Sequence, residues 1–299
     1  MTPPFDVDVS IIIVSWNVRR YVEQCLNALY AIPDSPTREI FVVDNASTDG
    51  TADCVAASYP HVRLIRNSEN VGFARANNQA IPLCRGRYLF LLNPDTEVLP
   101  HAVERLKKFL DEHPKVGVVA PQLLNSDRTI QPSCRTFPTI LSHLWNCTFL
   151  DALFPKSRIF GRYRMTGWNH TETRSVDQPM GAALVVRSEA VADAGMMDPA
   201  YFLLFDEVDW CLRIKKKGWE IFYLPDAQVI HHGGKSFGQR PNASNGKVFT
   251  ESRNIYYSKH YGAWSVPIVT ALDIVKIVLI ASPIAGVLGA GAWLAMRTR

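Results

Sequence analysis

An α/β fold, with a mostly parallel sheet flanked by helices, is predicted by two features of the sequence. The first 120 residues alternate short apolar runs with longer stretches of helical periodicity, the rhythm of βαβ units joined by right-handed crossovers. One apolar run, Tyr88-Leu-Phe-Leu-Leu92, is too short for a helix and too apolar for a surface strand, so it reads as a strand buried on both faces.

In order, strands are expected at Val9–Val14, Glu39–Val43, Val62–Arg66, Tyr88–Leu92 and Val116–Ala120. Between them fall helices at about Arg19–Tyr30, Thr51–Ser58, Ala74–Leu83 and His101–Glu112. The pattern fades from Pro121 to about Asp177, where prolines, polar residues and scattered aromatics dominate, as in Arg135-Thr-Phe-Pro138 and Gly167-Trp-Asn169. So long an irregular stretch in a compact domain is expected to be a functional loop or lid. Regular structure returns with a strand at Ala182–Arg187, a helix at Glu207–Lys217, and strands at Glu220–Leu224 and Gln228–His231. A helix over about 241–262 then leads into a different kind of segment. Ile277 to Met296 is 20 residues without a charge, enough for a helix of roughly 30 Å. Apolar Trp264–Leu272 precedes it, with Asp273 and Lys276 between. Pro283, Gly286, Gly289 and Gly291 weaken a helix but are tolerated in membranes. We therefore expect a C-terminal hydrophobic, membrane-associated helix, spanning or interfacial, over the alternative of a buried helix that closes the core.

Composition narrows the classes. The 299 residues suffice for one large domain with an appendage, and 20% charged with 47% apolar residues is ordinary for a globular chain. A net charge of +4, with no basic stripe interleaved with aromatics, does not describe a nucleic-acid binder. It is compatible with anionic small molecules or an anionic membrane. The cysteines Cys25, Cys54, Cys84, Cys134, Cys147 and Cys211 show no metal-site or redox spacing. No signal peptide is recognisable, so reduced thiols in the cytosol are expected, and the sequons at Asn146, Asn169 and Asn242 are read as chance matches.

Four constellations carry chemistry. The buried strand Tyr88–Leu92 stops at Asn93-Pro94-Asp95, because Pro94 cannot donate to the ladder. Asp95 then sits at the carboxyl end of a central strand, where open α/β sheets bind ligands. A carboxylate near an apolar interior wants a cation, and magnesium typically takes one or two carboxylates plus substrate phosphates. The second constellation is Phe41-Val-Val-Asp44-Asn45-Ala-Ser47-Thr48-Asp49-Gly50: Asp44 ends a strand and can accept from a base N–H or a ribose hydroxyl, while Asp49 or Thr48 can cap the next helix. The neighbouring strand end, Ser10-Ile-Ile-Ile-Val-Ser15-Trp-Asn17, would complete a nucleotide pocket with Ser15 and Asn17. The third is Phe205-Asp206-Glu207-Val208-Asp209-Trp210-Cys211-Leu212-Arg213. Acids there suit a helix N-terminus, and Asp209 is spaced to pair with Arg213. Asp206 and Glu207 remain as candidate bases, and spacing does not choose between them. The fourth is Val229-Ile-His231-His232-Gly233-Gly234; adjacent strand residues face opposite ways, so only one histidine can reach a given ion or phosphate.

With these in view, the chain resembles the inverting family 2 glycosyltransferases of GT-A fold, especially the bacterial rhamnosyltransferase-like branch. The motifs SIIIVSWN, VVDNASTDGT, NVGFARANN, LFLLNPDTEV, MGAALVVR, FDEVDWCLR and VIHHGG stand in family order over residues 9–234. The resemblance implies a catalytic domain over 1–240, with a nucleotide-sugar half at about 1–120 and an acceptor half at about 121–240. A connecting helix (241–262) and a membrane-associated segment (263–299) would follow. It implies that Ser15, Asn17, Asp44 and Asn45 hold the nucleotide and that Gly72, Phe73, Arg75 and Asn77 lie beside the diphosphate and sugar. Asn93-Pro-Asp95 stands at the family's DxD metal motif with Asn in the first place, leaving Asp95 to hold Mg2+ or Mn2+ with His231 as a further ligand. The Asp206–Asp209 segment matches the family's base motif, which puts Glu207 first and Asp206 second as the base.

The expected activity is transfer of a hexose, rhamnose among the candidates, from a dTDP- or UDP-linked donor to a cell-envelope polysaccharide or polyprenyl-linked glycan, with inversion, at the cytoplasmic face of the plasma membrane. Two rivals are a nucleotidyltransferase, which would need an N-terminal glycine-rich loop that Ser15-Trp-Asn17 does not offer, and a non-catalytic membrane scaffold on the same fold. The run Arg213, Lys215, Lys216, Lys217 could meet lipid headgroups or an acceptor diphosphate, or form a solvated helix face.

Overall fold

The computed structural model describes residues 5–32, 36–235, 238 and 242–281. The chain divides into two compact units. The first holds Met1–Ser133 and His170–Ser252, and the second holds Cys134–Asn169 and Arg253–Arg299.

The first unit opens with β1 (Val7–Ser15), α1 (Arg19–Tyr30), β2 (Arg38–Asp44), α2 (Thr51–Ser58), β3 (Val62–Arg66), α3 (Phe73–Ala80), β4 (Gly86–Leu92), β5 (Thr96–Val98), α4 (Ala102–Glu112) and β6 (Val116–Leu124). These bounds lie close to the sequence expectation because each strand is a β-branched or aromatic run and each helix carries one apolar stripe. In α1 the buried stripe is Val22, Cys25, Leu26 and Leu29, and in α4 it is Val103, Leu106 and Leu110. Burial of each large aliphatic side chain stabilises by roughly 1.5–3 kcal/mol. Later come β7 (Ile130–Gln131), the short β8 (Cys134–Arg135, in the second unit), β9 (Arg174–Ser175) and β10 (Gln178–Pro179), then β11 (Ala183–Arg187), α7 (Ser188–Ala194), α8 (Asp206–Lys216) and β12 (Glu220–His231).

The main sheet runs β3-β2-β1-β4-β11-β6-β12-β5. From β1 the chain steps outward to β2 and β3, then returns to lay β4 on the other side of β1. That reversal makes the carboxyl ends of β1, β2 and β4 a topological switch point, where α/β sheets leave a crevice. Antiparallel strands are more numerous than the sequence suggested: β11 runs antiparallel to β4 and to β6, and β5 antiparallel to β12. The sheet is therefore mixed. Strand β11 follows the long irregular stretch rather than a helical crossover, and antiparallel pairing needs no crossover. The two strands expected over 220–231 are one strand whose register against β6 shifts between Leu224 and Gln228, around Pro225. Strand β5 escaped sequence reading because three residues carry too little period.

In the second unit α5 (Ile140–Cys147) starts with a capping box: Ser142 N–H donates to Thr139 Oγ1 at 3.0 Å, and Thr139 N–H donates to Ser142 Oγ at 2.8 Å. Helix α6 (Leu150–Leu153) follows. Helix α9 (Asn242–Tyr261) enters the unit at Arg253, and α10 (Ser265–Ala281) packs against α5. Asp273 of α10 joins the helices. Its Oδ1 lies 3.0 Å from His143 Nε2 and 3.7 Å from Cys147 Sγ, and its Oδ2 pairs with the wholly buried Arg253 guanidinium. Among the described residues no helix is long and apolar enough to cross a membrane. Most of Ile277–Met296 lies outside the described residues.

His143 yields a pH-dependent stability. Burial, then the Arg253 and Lys276 cations, push its pKa down to about 4, so proximity to an already neutralised Asp273 does not hold it charged. Between the ordinary histidine range and about pH 4, the unfolded chain binds a proton that the native state refuses. Stability therefore falls as pH drops through that window and levels off below it, a loss of up to about 3 kcal/mol. In urea unfolding at pH 7 and pH 4.5, His143→Gln is expected to lose less stability between the two pH values than the wild type; equal losses would remove His143 as the cause.

Candidate functional site

At the carboxyl edge of the sheet, Ser15 ends β1 in register with Asp44, the last residue of β2. Both are buried. Asp44 accepts from Ser15 Oγ at 3.2 Å and from Ser47 N–H at 2.9 Å, which holds its carboxylate rigidly at the crevice. Asn17 Oδ1 accepts from Thr48 N–H at 2.7 Å, and Asp49 accepts from the Arg19 and Thr51 amides at 2.9 and 3.1 Å. Asp49 therefore fixes the starts of α1 and α2. Asn45 Nδ2 donates to the Gly72 carbonyl at 3.2 Å, tying the Asp44 turn to the next segment.

That segment is Gly72–Asn78. Gly72 has φ +89°, and a Cβ there would collide with the Phe202 backbone carbonyl, so only glycine fits. Phe73 N–H donates to Phe202 O at 2.8 Å, Arg75 Nε to Pro199 O at 3.0 Å and Asn78 Nδ2 to Met197 O at 2.7 Å. Asn77 is buried; its Nδ2 caps Phe73 O at 3.0 Å, and its Oδ1 has no hydrogen-bond partner among the described residues.

Asn93 and Asp95 follow β4. The Asn93 amide donates to Ala182 O at 2.8 Å, and its carbonyl accepts from Thr96 Oγ1 at 2.7 Å, so the turn is held from two sides. Asp95 is 4% exposed and His231 6%. His231 reaches it as the last residue of β12, beside Thr96 of β5. Asp95 Oδ2 accepts from the Lys235 amide at 3.2 Å, while Oδ1 lies 3.5 Å from His231 Nε2. That separation is too long for a hydrogen bond, and Nε2 has no hydrogen-bond partner among the described residues. Burial acts to raise the Asp95 pKa and the backbone donors act to lower it; a His231 ring that donated from Nε2 or carried charge would lower it further. A buried carboxylate oxygen and a ring nitrogen facing each other without a hydrogen bond suit a divalent cation, and carboxylate with imidazole suits Mn2+ at least as well as Mg2+. His232 faces the other way, with Nε2 2.7 Å from Glu97 and Nδ1 2.8 Å from Ser126 Oγ.

The acidic helix start lies next to the same edge. Leu204 and Phe205 hold φ of 69° and 62°, a left-handed conformation that costs large residues about 1–3 kcal/mol each and recurs at functional sites. It turns the chain sharply into α8. Asp206 is 2% exposed, its Oδ1 accepts the Glu207 amide at 3.1 Å, and Oδ2 has no hydrogen-bond partner among the described residues. Burial, then the neighbouring Glu207 charge, push the Asp206 pKa well above the carboxylate range. Glu207 is half-buried and lies over Gly181, where a Cβ would stand 3.3 Å from its Cβ and Cγ. Asp209 is fully buried and accepts from Arg213 Nε at 2.8 Å; Arg213 in turn donates to the carbonyls of Ala194 and Met196.

Sequence reasoning missed four participants: Gly181, the Phe202 carbonyl, the Lys235 amide and Gln131, whose Oε1 lies 2.7 Å from His231 Nδ1. Two of these are backbone groups and Gln131 is a polar residue in a polar stretch, so these three had no signal to find; Gly181 stood within the MGAALVVR motif but without a role assigned to it. In the second unit, His143, Cys147 and Asp273 place ligand atoms within 4.8 Å of one another. Arg253 already neutralises that carboxylate and would repel an ion.

Three kinds of likeness accompany this geometry. Residues 10–159 match the model of glycosyl transferase family 2. The chain is 27% identical over 270 residues to the N-acetylglucosaminyl-diphospho-decaprenol L-rhamnosyltransferase of Mycobacterium tuberculosis, covering 86% of this chain and 87% of that one. It is 32% identical over 108 residues to a putative teichuronic acid biosynthesis glycosyltransferase of Bacillus subtilis, 35% of this chain and 42% of that protein. Among solved structures, a Pyrobaculum calidifontis mannosyltransferase in complex with GDP-Man and Mn2+ aligns with a TM-score of 0.53 at 20% identity, over 99% of this chain and 84% of that one. TarS 1–349 of S. aureus aligns at 0.52 and 17%, over 84% and 72%.

Proposed function

The chain belongs to glycosyl transferase family 2 and is a glycosyltransferase, and we propose that it moves L-rhamnose, with inversion, from a nucleoside-diphosphate donor to a polyprenyl-diphosphate-linked sugar. The observation that carries this reading is the likeness to a decaprenol-linked rhamnosyltransferase over most of both chains. The arrangement along the sheet edge supports it. Asp44, fixed by Ser15 and Ser47, receives the donor's ribose or base, with Asn17 and Asn45 shaping the pocket. Gly72, Phe73, Arg75 and Asn77 border the diphosphate and sugar. Asp95 and His231 would hold a divalent cation, which when bound would supply positive charge to offset that on the departing nucleoside diphosphate.

Glu207 is the base. Half-buried beside Gly181, it takes the proton of an acceptor hydroxyl as that oxygen bonds to the anomeric carbon and the bond to the diphosphate breaks. Asp206 is buried, and that burial, then Glu207, push its pKa up, which leaves the half-buried Glu207 as the more accessible carboxyl of the two. Asp209 positions the helix through Arg213. No enzyme–sugar bond forms, so a single displacement inverts the centre.

A lipid-linked acceptor asks for a catalytic unit at the bilayer, at its cytoplasmic face. The exposed apolar residues Ile274, Ile277, Val278 and Ile280 of α10 support such an association. The test combines both points: Mn2+-dependent transfer from a panel of dTDP- and UDP-sugars to polyprenyl-diphosphate-GlcNAc in anionic liposomes, with co-sedimentation. Transfer from dTDP-rhamnose with binding to the vesicles is expected. Transfer only from another donor, or only to a water-soluble acceptor with the protein left in the supernatant, would displace the reading.

A further inference from the structure

The hydrogen bonds around His231 form a directed chain whose far end is a carboxylate. Thr129 Oγ1 donates to Asp127 Oδ1 at 2.6 Å, since an ionised carboxylate only accepts. With its proton committed, Thr129 Oγ1 accepts from Asn125 Nδ2 at 2.9 Å. The Asn125 amide is thereby oriented with Oδ1 outward, and it accepts from Gln131 Nε2 at 2.9 Å. Gln131 must then present Oε1 to His231 Nδ1, 2.7 Å away, and Nδ1 must donate. Gln131 Nε2 also lies 3.4 Å from the His231 carbonyl, which holds the amide in the same sense. The loop itself is pinned by backbone hydrogen bonds from Asn125 N–H to Thr129 O and from Arg128 N–H to Asn125 O, each 2.8 Å.

We propose that Gln131, oriented through Asn125 and Thr129 by Asp127, is a positioning residue that keeps the His231 ring proton on Nδ1 and so presents the Nε2 lone pair to a cation shared with Asp95. The proposal rests on the reading of Asp95 and His231 as the cation's ligands. It accounts for an Nε2 that is buried, without a hydrogen bond among the described residues, and 3.5 Å from a carboxylate oxygen. With the opposite tautomer, Nδ1 and Gln131 Oε1 would be two acceptors in contact, and Nε2–H would occupy the place of the metal. Outer partners of this kind typically change metal affinity 10–100-fold.

Two readouts test it on the full-length protein. Nitrogen–proton correlation spectra of the histidine rings, without metal and at a pH where His231 is neutral, are assigned with His231→Gln; they should show Nε2 without a proton in the wild type. In Gln131→Met the proton should spread to Nε2, and calorimetry with Mn2+ alone should show binding weakened about 10–100-fold. Gln131→Glu, which keeps an acceptor, should bind Mn2+ close to the wild type. A protonated Nε2 in the wild type, an unchanged affinity in Gln131→Met, or a Gln131→Glu as weak as Gln131→Met would overturn the proposal. Asp95→Asn separates the two levels: if it binds Mn2+ like the wild type, the cation reading fails, and the ring spectra alone judge the tautomer.

Discussion

Glu207→Gln is expected to lower the rate of sugar transfer by about 10²–10⁴-fold while donor binding stays within a few-fold of the wild type. The amide fills the same space over Gly181, so the fold and donor pocket are undisturbed, but it cannot take a proton from the acceptor hydroxyl. Asp206 is no substitute. It is buried, and burial, then Glu207, push its pKa up; with Glu207 replaced by an amide its surroundings are still desolvated. Single-turnover transfer from bound donor, with donor affinity measured separately, gives the two numbers. A variant that keeps wild-type turnover would move the base elsewhere; a variant that loses donor binding and turnover equally would make Glu207 a binding residue.

The second large effect belongs to Asp95. Asp95→Asn keeps the size and the acceptor for the Lys235 amide but removes the negative charge facing His231. On the proposed reading, the cation would supply several kcal/mol of charge stabilisation at the leaving diphosphate. Turnover is therefore expected to fall about 10³-fold, at about 1.4 kcal/mol per factor of ten. Mn2+ should no longer strengthen nucleotide binding. Titrating nucleoside diphosphate with and without Mn2+ measures this directly. Retention of the Mn2+ enhancement in Asp95→Asn would take the cation away from this carboxylate.

The sequence disclosed the first half of the molecule well, because each element there carries its own signal. The Ile11-Ile-Ile13 run and the α1 stripe are local facts. The ends of β2 and β4 were legible for the same reason: an apolar run that breaks at Asp44 or at Pro94 announces a strand end. What was not legible is whatever depends on a partner distant along the chain. The antiparallel course of β11, the approach of His231 to Asp95 from far along the chain, and the orientation of Gln131 follow from packing, not from period. The acidic helix start shows both sides. Asp209 with Arg213 follows from i,i+4 spacing, but the burial that separates Asp206 from Glu207 comes from a left-handed turn at Leu204 and Phe205 that no propensity favours.

The contact at Gly72 reaches beyond the space it saves. Phe73, Arg75 and Asn78 are hydrogen-bonded to the carbonyls of Phe202, Pro199 and Met197, and Phe205 is followed at once by Asp206 and Glu207. The segment proposed to border the donor's phosphates and the loop that launches the base helix are therefore one mechanical piece. Neither can shift without straining three shared hydrogen bonds, so the distance between that segment and the proposed base is set by the backbone and not left to side-chain search. In an in-line displacement that distance is the geometry of the reaction itself.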